Sequence, residues 1–90
     1  MWDFSKQKMY VFRGFYIPHR MMDGLQRYIE NHVAPGDFLT AVIKNDLKEA
    51  VSRADDENLN NLPAYIGFLY NQAPGSCWGS EEIFKEWLNK

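Results

Sequence analysis

Two Ala-Pro-Gly triplets, at residues 34–36 and 73–75, and one dense polar stretch, SRADDENLNNLPAY at residues 52–65, divide this chain. Proline removes a backbone donor and fixes its own φ, and glycine frees the backbone, so each triplet ends a regular element. After the first triplet the pieces they leave are 15, 7 and 15 residues long (37–51, 66–72 and 76–90), and 33 residues precede it. They carry helical rather than strand periodicity. The chain is therefore expected to be mainly α: a compact bundle of about four helices, with short loops favouring antiparallel neighbours.

The first helix is expected to begin at Pro18, where a missing N–H costs nothing. Met22, Leu25, Ile29 and Val33 then recur at helical spacing, widened by Met21 and Tyr28. Gly24 within it costs roughly 1 kcal/mol against alanine and permits close helix contact. Asp37 is expected to cap a second helix, which runs without a breaker to Ala54 on the stripe Leu39, Ile43, Leu47, Ala50 and Ala54, with Phe38, Val42 and Val51 alongside. Glu49 and Arg53 form an i,i+4 pair in the favourable order. A third helix follows the polar stretch, with Pro63 in its first turn, Asn60 or Asn61 as cap and Leu59 as an apolar staple. Its apolar residues are Leu62, Ile66 and Leu69, with Tyr65 and Tyr70. Ser80 caps the last helix, with Glu81 and Glu82 in the first turn and Ile83, Phe84, Trp87 and Leu88 facing inward.

Residues 1–17 read as an N-terminal arm and 18–90 as the helical domain, within one domain overall. The run MYVFRGFYI at residues 9–17 is β-branched and aromatic, which suits an extended arm or a short strand. A lone strand needs a partner for its backbone, and no second strand is evident. Packing on the helices or pairing between subunits would satisfy it.

Fourteen aromatic residues in a 90-residue chain compensate for a small core, since each can bury roughly 150–250 Å². A single cysteine, Cys77, allows no internal disulfide and fits a reducing compartment. The N-terminus shows no apolar run after a basic start, and no stretch approaches the roughly 20 residues of a membrane span. A cytoplasmic protein without membrane contact is expected. Charge is uneven: residues 1–27 carry +3 and residues 28–90 carry −5. That polarity is too weak to establish nucleic-acid binding by counterion release.

Several stretches, in order, resemble a set of short proteins of tailed bacteriophages and prophages: YIPHRMMDGLQRYI (16–29), PGDFLTAVIKNDLKEA (35–50), RADDENL (53–59), FLYNQAP (68–74) and CWGSEE (77–82). The resemblance spans about Tyr16 to Trp87. It implies no catalytic motif. It implies a setting in the cytoplasm of a bacterial host, where such accessory proteins bind a host protein or a signal molecule of a defence system.

The residue chemistry also points to binding. A thiol nucleophile at Cys77 needs a lowered pKa and an orienting base, and His19 and His32 lie far back in sequence. Neither histidine spacing nor a second cysteine supports a metal site, and no cofactor motif is present. RGFYI (13–17) partly matches an RNA-recognition signature, but that signature needs a four-stranded sheet. Lys6, Lys8, Arg13 and Arg20 interleaved with aromatics suit at most weak single-stranded nucleic-acid binding. A DNA-like acidic surface from Asp55, Asp56, Glu57, Glu81, Glu82 and Glu86 is set against the helix-start role of the last group.

The polar stretch has a structural reading as a corner, with Arg53 pairing Asp56 or Glu57. It also has a ligand reading, because a guanidinium, carboxylates, amides and a tyrosine offer donors, acceptors and a stacking face. The candidate partner or ligand residues are Arg20, Arg53, Asp55, Asp56, Asn58, Asn61, Tyr65 and Trp78. Trp78 is either a lid on the core or an anchor for a partner. The leading expectation is a non-enzymatic protein that inhibits or modulates a host factor, most of all one of anti-phage defence. The alternatives are an oligomeric sponge for a nucleotide-derived signal, which leaves a homo-oligomer open, and a weak single-stranded nucleic-acid binder.

Overall fold

A computed structural model describes residues 2–7 and 9–90; Lys8, one of the bases of the expected arm, lies outside the described residues. The aromatic arm is a β-hairpin. Strand β1 (Tyr10–Phe12) pairs antiparallel with β2 (Phe15–Ile17), with Phe12 opposite Phe15. The partner for the extended run is thus its own second half. Arg13 and Gly14 form the two-residue turn with φ of 51° and 85°. Two successive left-handed residues match the twist of a hairpin. Gly14 adopts this backbone freely, whereas Arg13 is an uncommon occupant, which hides the turn from sequence reading.

Helix α1 (His19–Asn31) buries Met22, Leu25, Tyr28 and Ile29. Val33 leaves that stripe and is exposed, because His32 ends the helix in the left-handed region at φ 59°. The His32 ring holds this turn in place: Nδ1 lies 2.8 Å from the Trp87 carbonyl, and the ring packs on the Trp87 indole.

The long second helix expected between Asp37 and Ala54 is two helices, α2 (Asp37–Ile43) and α3 (Leu47–Arg53). Asn45 breaks it at φ 61°, a conformation asparagine tolerates. Asp46 then starts α3, its carboxylate accepting the Glu49 N–H at 3.2 Å. Gly36, not Asp37, occupies the start of α2, and Asp37 lies in its first turn without a capping bond. The break ends the continuous stripe: Leu39, Val42 and Ile43 are buried, while Leu47 and Val51 are exposed.

The polar stretch contains a further short helix, α4 (Asp56–Asn60), leading into α5 (Leu62–Gln72) with Pro63 in its first turn. A 3-10 turn at Gly75–Cys77 precedes α6 (Glu81–Leu88), whose start is capped by the Ser80 hydroxyl accepting the Ile83 N–H at 3.1 Å. Phe84 and Trp87 of α6 are buried; Ile83 and Leu88 are half-buried. Among the described residues the fold is therefore mainly helical, with six helices and one two-stranded antiparallel sheet, more segmented than a four-helix bundle.

The core is organised around aromatic rings. Phe68 of α5 is met edge-on by Trp2 and Tyr10 and packs against Phe4. Tyr28 stacks on Phe84 at 5.5 Å. Its hydroxyl donates to the Cys77 carbonyl at 2.7 Å, and the Trp87 indole donates to the Tyr28 carbonyl at 2.8 Å. These two bonds satisfy buried polar atoms and fasten α6 and the 3-10 turn to α1. Gly24 does permit a close approach: a Cβ there would lie 3.1 Å from Leu39 Cδ1. The molecule measures 33 × 32 × 19 Å, so it is only about two helix layers thick. Among the described residues no helix is long and apolar enough to cross a membrane.

Candidate functional site

The polar corner draws together most of the residues singled out in the sequence, and it uses several of them internally. Asp55 caps α4, its Oδ1 accepting the Asn58 N–H at 2.8 Å. Its Oδ2 pairs with Arg20 Nη2 at 2.8 Å, and the same guanidinium reaches Glu57 at 3.2 Å. The Tyr16 hydroxyl donates to the other Glu57 oxygen at 2.7 Å. The Asn58 N–H, and then Arg20, hold the Asp55 carboxyl below its ordinary value. Glu57, followed by Asp55, raises the Arg20 guanidinium further above its already high value. The cluster is exposed, so its ion pairs are screened and contribute little individually.

Asn58 and Tyr65 are buried together: the Tyr65 hydroxyl donates to Asn58 Oδ1 at 2.5 Å. Burial drives the Tyr65 phenol well above its usual range. Asn61 occupies the position before α5 but does not cap it. Its oxygen accepts the Tyr16 N–H at 2.9 Å, and its amide donates to the Glu57 carbonyl at 2.9 Å. One buried amide thus joins the hairpin to α4. Leu59 does not act as a staple; it is exposed. Asp56 stands exposed in the first turn of α4.

Arg53 does not belong to this corner. It pairs with Glu49 at 2.7 Å, as its spacing indicates, and with Asp37 at 3.3 Å rather than with Asp56 or Glu57. The break at Asn45 folds α3 back toward the start of α2, which brings Asp37 within reach. Trp78 packs half-buried against the core and, among the described residues, shares no hydrogen bond or ion pair with the corner. The corner therefore leaves Arg20, Asp55, Asp56 and Glu57 at the surface and commits Asn58, Asn61 and Tyr65 to holding it rigid.

A second surface escapes the sequence reading. Helix α5 contains no charged residue, and none occurs between Glu57 and Glu81. Ala64, Tyr65, Phe68 and Leu69 fill its buried side. Its other side is also apolar but uncovered: Ile66 is 40% and Tyr70 79% exposed. Between this side and the hairpin lies a groove of about 460 Å³ lined by Phe12, Leu62, Pro63, Ile66, Gly67 and Tyr70, with Asn71 at its edge. Phe12 can lie against the helix backbone because residue 67 has no side chain; a Cβ there would stand 2.6 Å from the ring. On the far side of Leu62 and Ile66 the apolar surface continues onto α3, where Leu47 is 68% exposed. The signal in the sequence was a helix apolar on all sides, which ordinarily means complete burial. A slab two layers thick cannot supply that burial.

Cys77 is fully buried, and burial pushes its thiol up to about 11, so it is held as an unreactive thiol at neutral pH. Comparisons with protein-family models, curated proteins and solved structures return no match.

Proposed function

We propose that this protein acts by binding another protein through the uncharged face of α5, without catalysing a reaction. Given its resemblance to tailed-phage accessory proteins, we place it in the cytoplasm of a bacterial host as an inhibitor or modulator of a host factor, foremost one of anti-phage defence. The observation that carries this reading is the exposed apolar face itself. Scattered apolar side chains are ordinary on a surface, but a contiguous apolar patch built on an uncharged helix and bordering a groove is a feature of interaction sites. Tyr70 supplies the kind of rigid, amphipathic ring that anchors interfaces. The buried thiol of Cys77 speaks against a nucleophile there.

A nucleotide signal draws less support. Its phosphates need cations or free backbone donors, and the groove wall is almost wholly apolar. Arg20, the cation at the polar corner, is already shared between two carboxylates.

The test is capture from host lysate with wild type, Ile66→Asp and Arg20→Ala. A charge at Ile66 is expected to abolish retention of the host polypeptide, while Arg20→Ala retains it. Retention that survives Ile66→Asp and is lost in Arg20→Ala would transfer the binding site to the polar corner and overturn the proposal.

A further inference from the structure

We infer that, before it meets a host partner, the protein pairs with a second copy of itself through this same α5 face. The inference rests on the reading of that face as a protein-binding surface and specifies what covers it in the isolated protein.

Three features favour a second copy. The first is charge. In a two-fold pair each surface meets its own image, so a charge near the axis faces an identical charge. Like-charge contacts of that kind oppose pairing. Helix α5 has no charged residue to repel its image; the charges nearest the patch are Asp46, beside Leu47 where the surface continues onto α3, and Arg13, 5.2 Å from the centre of the Phe12 ring. The formal net charge of the whole chain is only −2, so long-range repulsion between copies is weak.

The second is area. Tyr70 at 79% exposure offers roughly 120–200 Å², given the 150–250 Å² an aromatic side chain can bury. With Ile66, Leu47, Pro63 and the groove wall, the patch is on the order of 300–600 Å², the size of the largest apolar patches on monomers. A stable pair of standard size covers about 800 Å² per copy, of which roughly 60% is apolar. The α5 face supplies about that apolar share, leaving its polar surroundings as the rim.

The third is shape. Tyr70, 79% exposed, stands at the edge of the groove that it lines together with Phe12, Ile66 and Gly67. A ridge next to a groove on one surface is what a self-complementary contact requires. A host protein that takes the face displaces one copy.

The test uses the isolated full-length protein, with no host component. Light scattering and sedimentation should give a dimer for wild type at about 100 µM. Tyr70→Asp and Ile66→Asp should each raise the dissociation constant at least tenfold while keeping the wild-type circular dichroism spectrum. Val11→Asp, at an exposed position on the hairpin side that faces away from α5, should stay dimeric. A monomeric wild type at that concentration overturns the inference. So does a dimer that persists in both α5 variants, or one lost only in Val11→Asp. Because no host factor is present, failure here leaves host capture standing, and failure of host capture leaves this result standing.

Discussion

The buried pair of Asn58 and Tyr65 permits a quantitative test of how the corner is built. The two side chains are almost inaccessible, and their hydrogen bond of 2.5 Å joins α4 to α5. Tyr65→Phe removes the donor and strands the Asn58 oxygen. Asn58→Ala removes the acceptor, strands the Tyr65 hydroxyl and leaves a small cavity. An unsatisfied buried polar group costs about 1–3 kcal/mol. Each single variant should therefore lose about that much, with Asn58→Ala the larger because of the added cavity. The double variant strands neither group, so its loss should fall short of the sum of the two by about 1–2 kcal/mol. Urea unfolding followed by tryptophan fluorescence reads all four proteins. For a chain of this size each kcal/mol also moves Tm by roughly 4–8 °C. Losses that add to within about 0.5 kcal/mol would show that the two side chains act independently and refute the clamp.

Three further outcomes follow from named contacts. Gly67→Ala should destabilise the protein by about 1–3 kcal/mol because the new Cβ collides with Phe12; in a Phe12→Ala background the same change should stabilise, by up to about 1 kcal/mol from helix propensity, as thermal unfolding can show. Asp55 has a lowered pKa, so its contribution is present above its unfolded value near 3.8 and is lost as pH falls through the lower folded value. The stability gap between wild type and Asp55→Ala should accordingly be widest near neutral pH and shrink as pH is taken below about 4 in an acid titration of Tm. Burial shields the Cys77 sulfur and raises its thiol from 9.0 to about 11, so a thiol-specific chromogenic reagent at pH 8 should react at least about tenfold more slowly with the folded protein than with the urea-unfolded chain.

What could be read from sequence was local chemistry. Ser80 as a cap, Pro63 in a first turn, the Glu49–Arg53 spacing and the close approach at Gly24 depend on a few neighbouring residues, and each is present in the fold. What could not be read depended on rare backbone states or on distant partners. Arg13 and Asn45 adopt left-handed conformations that make a hairpin and split a helix. Neither residue type demands them; tertiary packing selects them. Asn61 looked like a cap for the helix beside it, but its amide is used by Tyr16, 45 positions away in sequence. The acids and amides of the polar corner were legible as a cluster because they are neighbours in the chain; the reach of Arg20 and Tyr16 to it from 35 and 41 positions away, and the division into buried clamps and exposed charges, were not. The α5 face was missed for a different reason. Apolar residues on both sides of a helix indicate complete burial only if the rest of the chain is large enough to cover it.

The most direct test of the central claim, that the uncharged helix α5 presents the face where this protein meets another, is photocrosslinking from residue 70 in cells of the proposed bacterial host. A benzophenone amino acid in place of Tyr70 should yield a discrete protein adduct, with the proposed host factor or with a second copy, while the same probe in place of Arg20 yields none. Adducts from residue 20 with none from residue 70 would contradict the account.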